Sequence, residues 1–232
     1  MKIVETFVYY VRIINSVNLI NGDNMGIIER KLRDKEEMRG HILSTAMKLF
    51  VEEGFQNISI RRIADKIEYS PATIYLYFKD KDDILYALHT EGFDELYKRQ
   101  LTVVSIQDPQ ERLIKHGEIY IRFAMEKPEY YNLMLIERGP EKKFSENEGW
   151  TVGRRAYDIF REDVQRAIES GVLPRGDADI AAFALWSQAH GIVSLILRNR
   201  CVMLDQNKLL ETALAAFHYI IRGTEFVLGA QH

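Results

Sequence analysis

Residues 54–85 read GFQNISIRRIADKIEYSPATIYLYFKDKDDIL, and this stretch decides the fold. After Ser59, apolar residues recur at three- and four-residue steps, which predicts a short helix capped by the serine side chain. The apolar positions of this helix are Ile60, Ile63, Ala64 and Ile67. Ser70 then precedes Pro71, a residue favoured at the first position of a helix, where its missing N–H costs nothing. Two short helices joined by a turn of three or four residues are typical of a helix-turn-helix motif.

Helical periodicity continues on both sides of this stretch. Before it, an amphipathic pattern runs from about Lys35 to Phe50, and Gly54 is suited to end that helix. After it, Asp80 is positioned to cap a long helix that reaches Leu101. The remaining sequence predicts helix after helix, because it has no sustained alternation of polar and apolar residues that would indicate strands. We therefore predict an all-α protein of about nine helices, with a three-helix N-terminal domain and a larger helical C-terminal domain.

The first 24 residues differ in character from the rest of the chain. The segment 7–20 is apolar but too short to span a bilayer, and it lacks the small-residue cleavage site of a signal peptide. Met25 then opens a highly charged stretch. We interpret residues 1–24 as an upstream leader or a start-site artefact. The alternative is an extra helix or strand that packs on the body of the protein.

Composition excludes several classes of protein. The single cysteine, Cys201, rules out an internal disulfide framework and a cysteine-rich zinc site, and it favours the reducing cytoplasm. The formal net charge is −3, so any binding of nucleic acid has to come from a local patch. The histidines form no metal-ligand pair at helical spacing, and the chain has no HExxH, GxSxG, GxGxxG or Walker motif. We predict no catalytic residues, no metal, no cofactor and no membrane partner.

The helix-turn-helix stretch resembles the TetR family of transcriptional repressors. Three features carry the resemblance: the Ser-x-Arg-x-Ile-Ala pattern that starts the helix at Ser59, the Thr-Ile-Tyr of the recognition helix after Ser70, and the Tyr-Phe-Lys-x-Lys sequence that follows it. With the preceding helix, the resemblance covers about residues 35–85. The C-terminal part is similar in its helix pattern and in a Trp-x-x-x-His-Gly signature that begins at Trp186. One departure is Glu68, where the family usually has glycine; a left-handed glutamate there would cost about 1 kcal/mol relative to glycine.

The resemblance implies that the second helix of the motif enters the major groove of operator DNA. The residues that it implies in DNA contact are Ser59, Arg61, Ser70, Pro71, Ala72, Thr73, Tyr75, Tyr77 and Lys81. Hydroxyls and cations suit phosphate, and threonine and proline present apolar surface to thymine methyl groups. Residues 25–34 are interpreted as a basic arm that adds phosphate contacts or is disordered, residues 35–82 as the DNA-binding domain, and residues 83–232 as the effector-binding and dimerisation domain.

The larger domain carries many aromatic residues at helical spacing, and the resemblance implies a pocket there for a small-molecule effector. The candidate pocket residues are Tyr97, Tyr120, Phe123, Trp186 and His190. For each aromatic residue the alternative is ordinary core packing, and for His190 it is a hydrogen-bonded place in the core.

The last two helices have wide apolar faces and many small residues, and the resemblance implies a homodimer through them. The candidate interface residues are Phe183, Ser187, Gly191, Ser194, Leu210, Leu214, Phe217 and Ile221. The alternative is that this face lies wholly inside one chain.

Together these patterns predict a ligand-responsive, DNA-binding transcriptional regulator of the cytoplasm. We expect a repressor that is released from a near-palindromic, double-stranded operator by a small molecule whose identity the sequence does not specify. The alternatives are an activator, or a helical scaffold protein whose helix-turn-helix contacts another protein.

Overall fold

The computed structural model describes residues 22–136 and 151–229, and every regular element in that part of the chain is helical, which confirms the all-α prediction. Residues 1–21 of the predicted leader lie outside it. The described helices are α1 Gly22–Glu53, α2 Ile60–Lys66, α3 Pro71–Tyr75, α4 Lys81–Gln100, α5 Pro109–Glu126, α6 Pro128–Leu135, α7 Thr151–Glu169, α8 Ala178–Leu197 and α9 Leu209–Gly229, with 3₁₀ helices at Phe55–Asn57, Leu101–Val103 and Gln206–Lys208. The chain divides into two compact units, Met1–Lys79 and Asp80–His232.

The first helix begins earlier than the sequence pattern predicts. α1 starts at Gly22, so residues 25–34, which were interpreted as a separate basic arm, belong to its first turns. The side chains of residues 28–34 are exposed, so a pattern of buried residues could not detect this part of the helix. Lysine, arginine and glutamate are nevertheless good helix formers, and Arg33 lies 3.8 Å from Glu37 one turn later.

The core of the first unit forms where α1, α2 and α3 pack together. The predicted inward residues of α2 and of the segment after it are all buried: Ile60, Ile63, Ala64, Ile67, Ile74 and Phe78. Both predicted caps are present. The Oγ of Ser59 accepts a hydrogen bond from the Arg62 N–H at 3.1 Å, and the Oγ of Ser70 accepts one from the Thr73 N–H at 3.3 Å. These bonds satisfy amide groups that a helix start leaves unpaired.

The turn between α2 and α3 contains a left-handed glutamate. Glu68 has φ 60°, the conformation for which glycine is the usual residue. The turn still closes, because the Tyr69 N–H donates to the Ala64 carbonyl at 3.0 Å and Ile67 is buried beside it. The departure from the family pattern therefore costs some stability but leaves the motif intact.

The second unit is organised around α5. This helix packs against α4, α6, α7, α8 and α9, and its buried residues form the centre of the core. Asp80, Asp108 and Asp177 cap α4, α5 and α8 by accepting hydrogen bonds from the first-turn amides. The cap at Asp80 is the one predicted from the sequence. These three helices of the core thus begin at positions set by a local side chain.

Among the described helices, α8 alone is long and apolar enough to cross a membrane, with a mean hydropathy of 1.6 over its most apolar segment. Core helices of soluble proteins meet the same criteria of length and composition. Only 28% of that segment is buried within the chain. Much of the apolar surface of α8 therefore lies outside the core of the second unit.

Candidate functional site

The helix α3 presents a mixed polar and aromatic surface. Ile74 is fully buried and anchors the helix to the core, whereas Tyr75 on the outer side is 56% exposed. We define the α3 surface by its predicted DNA-contacting residues, which are exposed or half-buried: Ser70, Pro71, Ala72, Thr73, Tyr75 and Tyr77. The helix is shorter than expected, since it ends at Tyr75 and leaves Tyr77 in the following turn. None of these side chains is enclosed by the core, so the whole set is accessible to a partner.

Two neighbouring arginines on α2 have different surroundings. Arg62 donates to both carboxylate oxygens of Glu53, with the shortest contact at 2.7 Å from its Nη2 atom. This hydrogen-bonded pair lowers the pKa of the Glu53 carboxyl and ties α2 to the end of α1. Arg61, which the sequence predicted to touch DNA, is exposed on the same helix. Arg62 therefore has a structural role, and Arg61 is better suited to an external anion.

The remaining predicted DNA contacts lie at helix starts. Ser59 and Ser70 are exposed, and each hydroxyl accepts a helix-capping hydrogen bond, which leaves the Ser59 O–H able to donate to phosphate. The Ser70 hydroxyl also shares a hydrogen bond of 3.1 Å with the Thr73 hydroxyl. Lys81 is the first residue of α4 and is half-buried in the second unit.

The second unit encloses a cavity of ≈ 70 Å³. Its walls come from five helices, α4, α5, α7, α8 and α9, and from Leu135 at the end of α6. Six of the lining side chains are phenylalanine, tyrosine or tryptophan: Phe93, Tyr120, Tyr157, Phe160, Trp186 and Phe217. Gln100 and His116 are the polar buried residues among the lining side chains. A mostly apolar cavity with a few polar groups is the usual character of a small-molecule site.

A buried charge cluster lies behind one wall of this cavity. Asp163 is 1% exposed, with Oδ1 2.6 Å from Arg112 Nε and Oδ2 2.8 Å from His116 Nδ1. Arg112 also donates from Nη1 to the Val104 carbonyl at 2.8 Å. The aspartate thus joins α7 to two residues of α5, and its charge is balanced by the guanidinium.

His190 belongs to a separate hydrogen-bonded cluster. Its Nδ1 atom lies 2.8 Å from the Tyr131 hydroxyl and 3.1 Å from the Tyr120 hydroxyl. Burial lowers the pKa of His190, which favours the neutral ring that these hydroxyl groups can bond. Burial also raises the pKa of Tyr120 well above its ordinary value. This cluster links α5, α6 and α8.

Comparison with known families identifies both units of the chain. Residues 42–88 match the family model of bacterial regulatory proteins of the tetR family, and residues 113–217 match that of tetracyclin repressor-like C-terminal domains. The chain belongs to the TetR family. The resemblance predicted from the helix-turn-helix stretch is therefore confirmed, and it extends to the C-terminal half, where the sequence offered little beyond helix pattern.

Curated relatives of this TetR-family chain are transcriptional regulators. It is 39% identical over 80 residues to the HTH-type transcriptional regulator HbdR of Aromatoleum sp. (strain CIB), which is 34% of each chain. It is 46% identical over 62 residues to an HTH-type transcriptional regulator of Staphylococcus aureus (strain USA300), which is 27% of this chain and 34% of that one. The matched segments span about a third of these relatives. The curated relatives that this TetR-family chain matches are thus helix-turn-helix transcriptional regulators rather than enzymes.

Solved TetR-family structures share the fold over most of the chain. PfmR from Thermus thermophilus has a TM-score of 0.62 at 24% identity, covering 78% of this chain and 97% of that one. The fatty acid degradation regulator FadR from Bacillus halodurans has a TM-score of 0.65 at 19% identity, covering 79% and 93%. At these identities the likeness establishes the fold and no ligand.

The structure divides the predicted pocket residues of this TetR-family chain. Tyr120 and Trp186 line the cavity. Tyr97 instead lies beneath the Arg155 guanidinium at 4.3 Å, and Phe123 is buried in the core. His190 is held by its two tyrosines, the core alternative considered for it, and does not line the cavity.

The polar cavity residues Gln100 and His116 were missed by sequence reasoning. The sequence did contain a signal for His116. Arg112 and His116 are one turn apart on the inward face of α5, and polar residues at such positions need buried partners. No such signal marks Gln100, which is the last residue of α4.

The predicted dimer residues also separate into two groups. Phe183 is 60% exposed and Ser187 is exposed, and four others are half-buried: Gly191, Ser194, Leu210 and Leu214. Phe217 and Ile221 are buried inside the single chain, so their prediction as interface residues has to be corrected. The physical reason is that α9 is apolar on two sides, and the side that carries Phe217 packs on α5.

Proposed function

We propose that this TetR-family regulator is a cytoplasmic repressor that binds a near-palindromic operator and releases it when a small molecule enters the second unit. The observation that carries the proposal is the α3 surface, where Tyr75 and its polar neighbours stand outward on a short helix anchored by Ile74. Hydroxyl, aromatic and small apolar groups at the start of a second motif helix suit contacts with phosphates and base edges.

The DNA-binding proposal predicts two different effects of substitution. Tyr75→Ala should weaken binding to a selected operator duplex about tenfold, because it removes a contact at the centre of the α3 surface. Lys81→Ala should also weaken binding and should lower the slope of log affinity against log salt by about one, because it removes a phosphate contact. The measurement is fluorescence anisotropy of a labelled duplex at several stated salt concentrations, after selection of bound sequences from random DNA.

A matched control is Lys98→Ala, which removes an exposed lysine from the same helix as Lys81, near its other end. This variant should bind DNA like the unsubstituted protein. Unchanged affinity and salt slope in both Tyr75→Ala and Lys81→Ala would contradict the DNA interface and would favour the alternative that the motif contacts a protein.

The dimer proposal is supported by the outward faces of α8 and α9. Ile180 is 72% exposed, Phe183 60% and Tyr219 80%, and these apolar side chains belong to the two helices predicted to form the interface. Exposed apolar groups on neighbouring helices favour association, and a twofold dimer would present two α3 surfaces to two operator half-sites. The same association would cover the apolar face that makes α8 resemble a membrane span.

Phe183→Glu should convert the dimer to monomer at micromolar concentration, because it places a charge in an apolar contact. Light scattering coupled to gel filtration measures the mass. Val51→Glu is the matched control, since it introduces the same charge at an exposed apolar residue of the first unit and should leave the mass unchanged. A monomer before any substitution would overturn the dimer.

A further inference from the structure

Two buried polar atoms in the cavity wall lack hydrogen-bond partners. They are Nε2 of His116 and Oε1 of Gln100, on side chains that are 1% and 4% exposed. Both residues line the otherwise apolar cavity. Buried polar atoms are nearly always hydrogen-bonded, so two unpartnered atoms on residues that line the same cavity need an explanation.

The other hydrogen bonds of the two side chains determine whether these atoms act as hydrogen-bond donors or acceptors. His116 Nδ1 lies 2.8 Å from Asp163 Oδ2, and in the tautomer whose Nδ1–H donates to this carboxylate, Nε2 is left as an acceptor. Gln100 donates from Nε2 to the Ala156 carbonyl at 3.2 Å, which leaves Oε1 as an acceptor too. The cavity therefore offers two hydrogen-bond acceptors, which favours a ligand that carries a hydrogen-bond donor.

We propose that the cavity binds a small, uncharged aromatic compound with a hydroxyl group, of the class of simple phenols. The ligand O–H donates a hydrogen bond to His116 Nε2 or to Gln100 Oε1. The inference deepens the ligand response of the proposed function and rests on it. Six aromatic side chains contribute to the wall and can contact a ligand ring edge-to-face. The cavity of ≈ 70 Å³ is small against the pockets of larger ligands, so a compact molecule fits best.

Charged ligands fit this lining less well. A carboxylate would place its oxygen atoms against the lone pairs of two acceptors, which repel it. A cation would find acceptors and aromatic faces, but the described residues of the lining include no acidic side chain to neutralise it. Burying an unpaired charge there would be unfavourable.

The test compares three probes of similar shape, phenol, toluene and benzoate, by isothermal titration calorimetry on the full chain at neutral pH. Phenol should bind about tenfold or more tightly than toluene, because only phenol satisfies a buried acceptor. Benzoate should bind more weakly than phenol. Equal affinities for phenol and toluene, or tighter binding of benzoate, would overturn the proposal without any variant being made.

Substitutions locate the binding. Gln100→Met removes one acceptor at similar volume and should reduce the preference for phenol over toluene. Gln165→Met is the matched control on α7, at a glutamine that bonds Glu169 and does not line the cavity, and should keep the preference. Ala189→Leu fills part of the cavity and should abolish binding of both probes. Phenol binding that survives Ala189→Leu would contradict the site.

The titrations contain no DNA, so their outcome is separate from that of the operator experiments. Phenol selectivity in a protein that fails to bind DNA would support the cavity and reject the regulator. DNA binding without phenol selectivity would reject this ligand class alone. If both hold, addition of phenol should lower operator affinity in the unsubstituted protein and have no such effect in Ala189→Leu.

Discussion

Asp163→Leu should lower the free energy of unfolding by about 3–5 kcal/mol, the largest loss expected from a single substitution in this chain. The change leaves the Arg112 guanidinium buried without its carboxylate partner and removes the hydrogen bond to His116 Nδ1. Because Asp163 is 1% exposed, water cannot replace the lost partner. Urea denaturation followed by circular dichroism gives the measurement.

Two comparisons separate the buried charge from a general effect of charge removal. Glu126→Gln breaks an ion pair with Arg99 near the surface and should cost less than about 1 kcal/mol. Arg112→Met combined with Asp163→Leu removes both charges and should recover part of the stability lost in Asp163→Leu. If Asp163→Leu were no worse than Glu126→Gln, the buried cluster would not hold α5 to α7.

Gly117→Ala should lower the free energy of unfolding by about 1–3 kcal/mol. A Cβ atom at this position on α5 would overlap the ring of Phe217, which is 1% exposed, so the ring or the helix would have to shift. Alanine usually stabilises a helix relative to glycine, so the sign of the effect is opposite to the local propensity. Chemical denaturation measures the change.

Two other glycines of the second unit provide matched controls. Gly223→Ala, in α9, meets nothing within 4 Å and should stabilise the protein by about 0.5–1 kcal/mol. Gly92→Ala, in α4, meets the flexible side chain of Met134 and a Tyr130 ring carbon at 2.9 Å, and should cost less than Gly117→Ala because methionine can move. Phe217→Leu added to Gly117→Ala should relieve part of the loss; no relief would show that the Phe217 ring is not the obstacle.

The two units differ in how far their sequence predicted them. In the first unit, the caps at Ser59 and Ser70, the buried stripe of α2 and the left-handed Glu68 all follow from residues that are close together in the chain. In the second unit, the start of α4 at Asp80 was predictable, but Phe217 proved to face inward and His190 to bond two tyrosines. Periodicity indicates that a residue lies on the apolar face of a helix, but it does not indicate which neighbouring helix packs against that face.

The sequence by itself determined the helical class, the helix starts after Ser59, Ser70 and Asp80, and the helix-turn-helix, because caps, turns and amphipathic stripes depend on contacts within a few residues. Only the tertiary structure decided the cavity, its two unpartnered acceptors and the split of α9 between core and surface. Those features arise where residues of α4, α5, α7, α8 and α9 meet. The gap left between packed helices depends on how all of their side chains fill space together, and no local pattern records it.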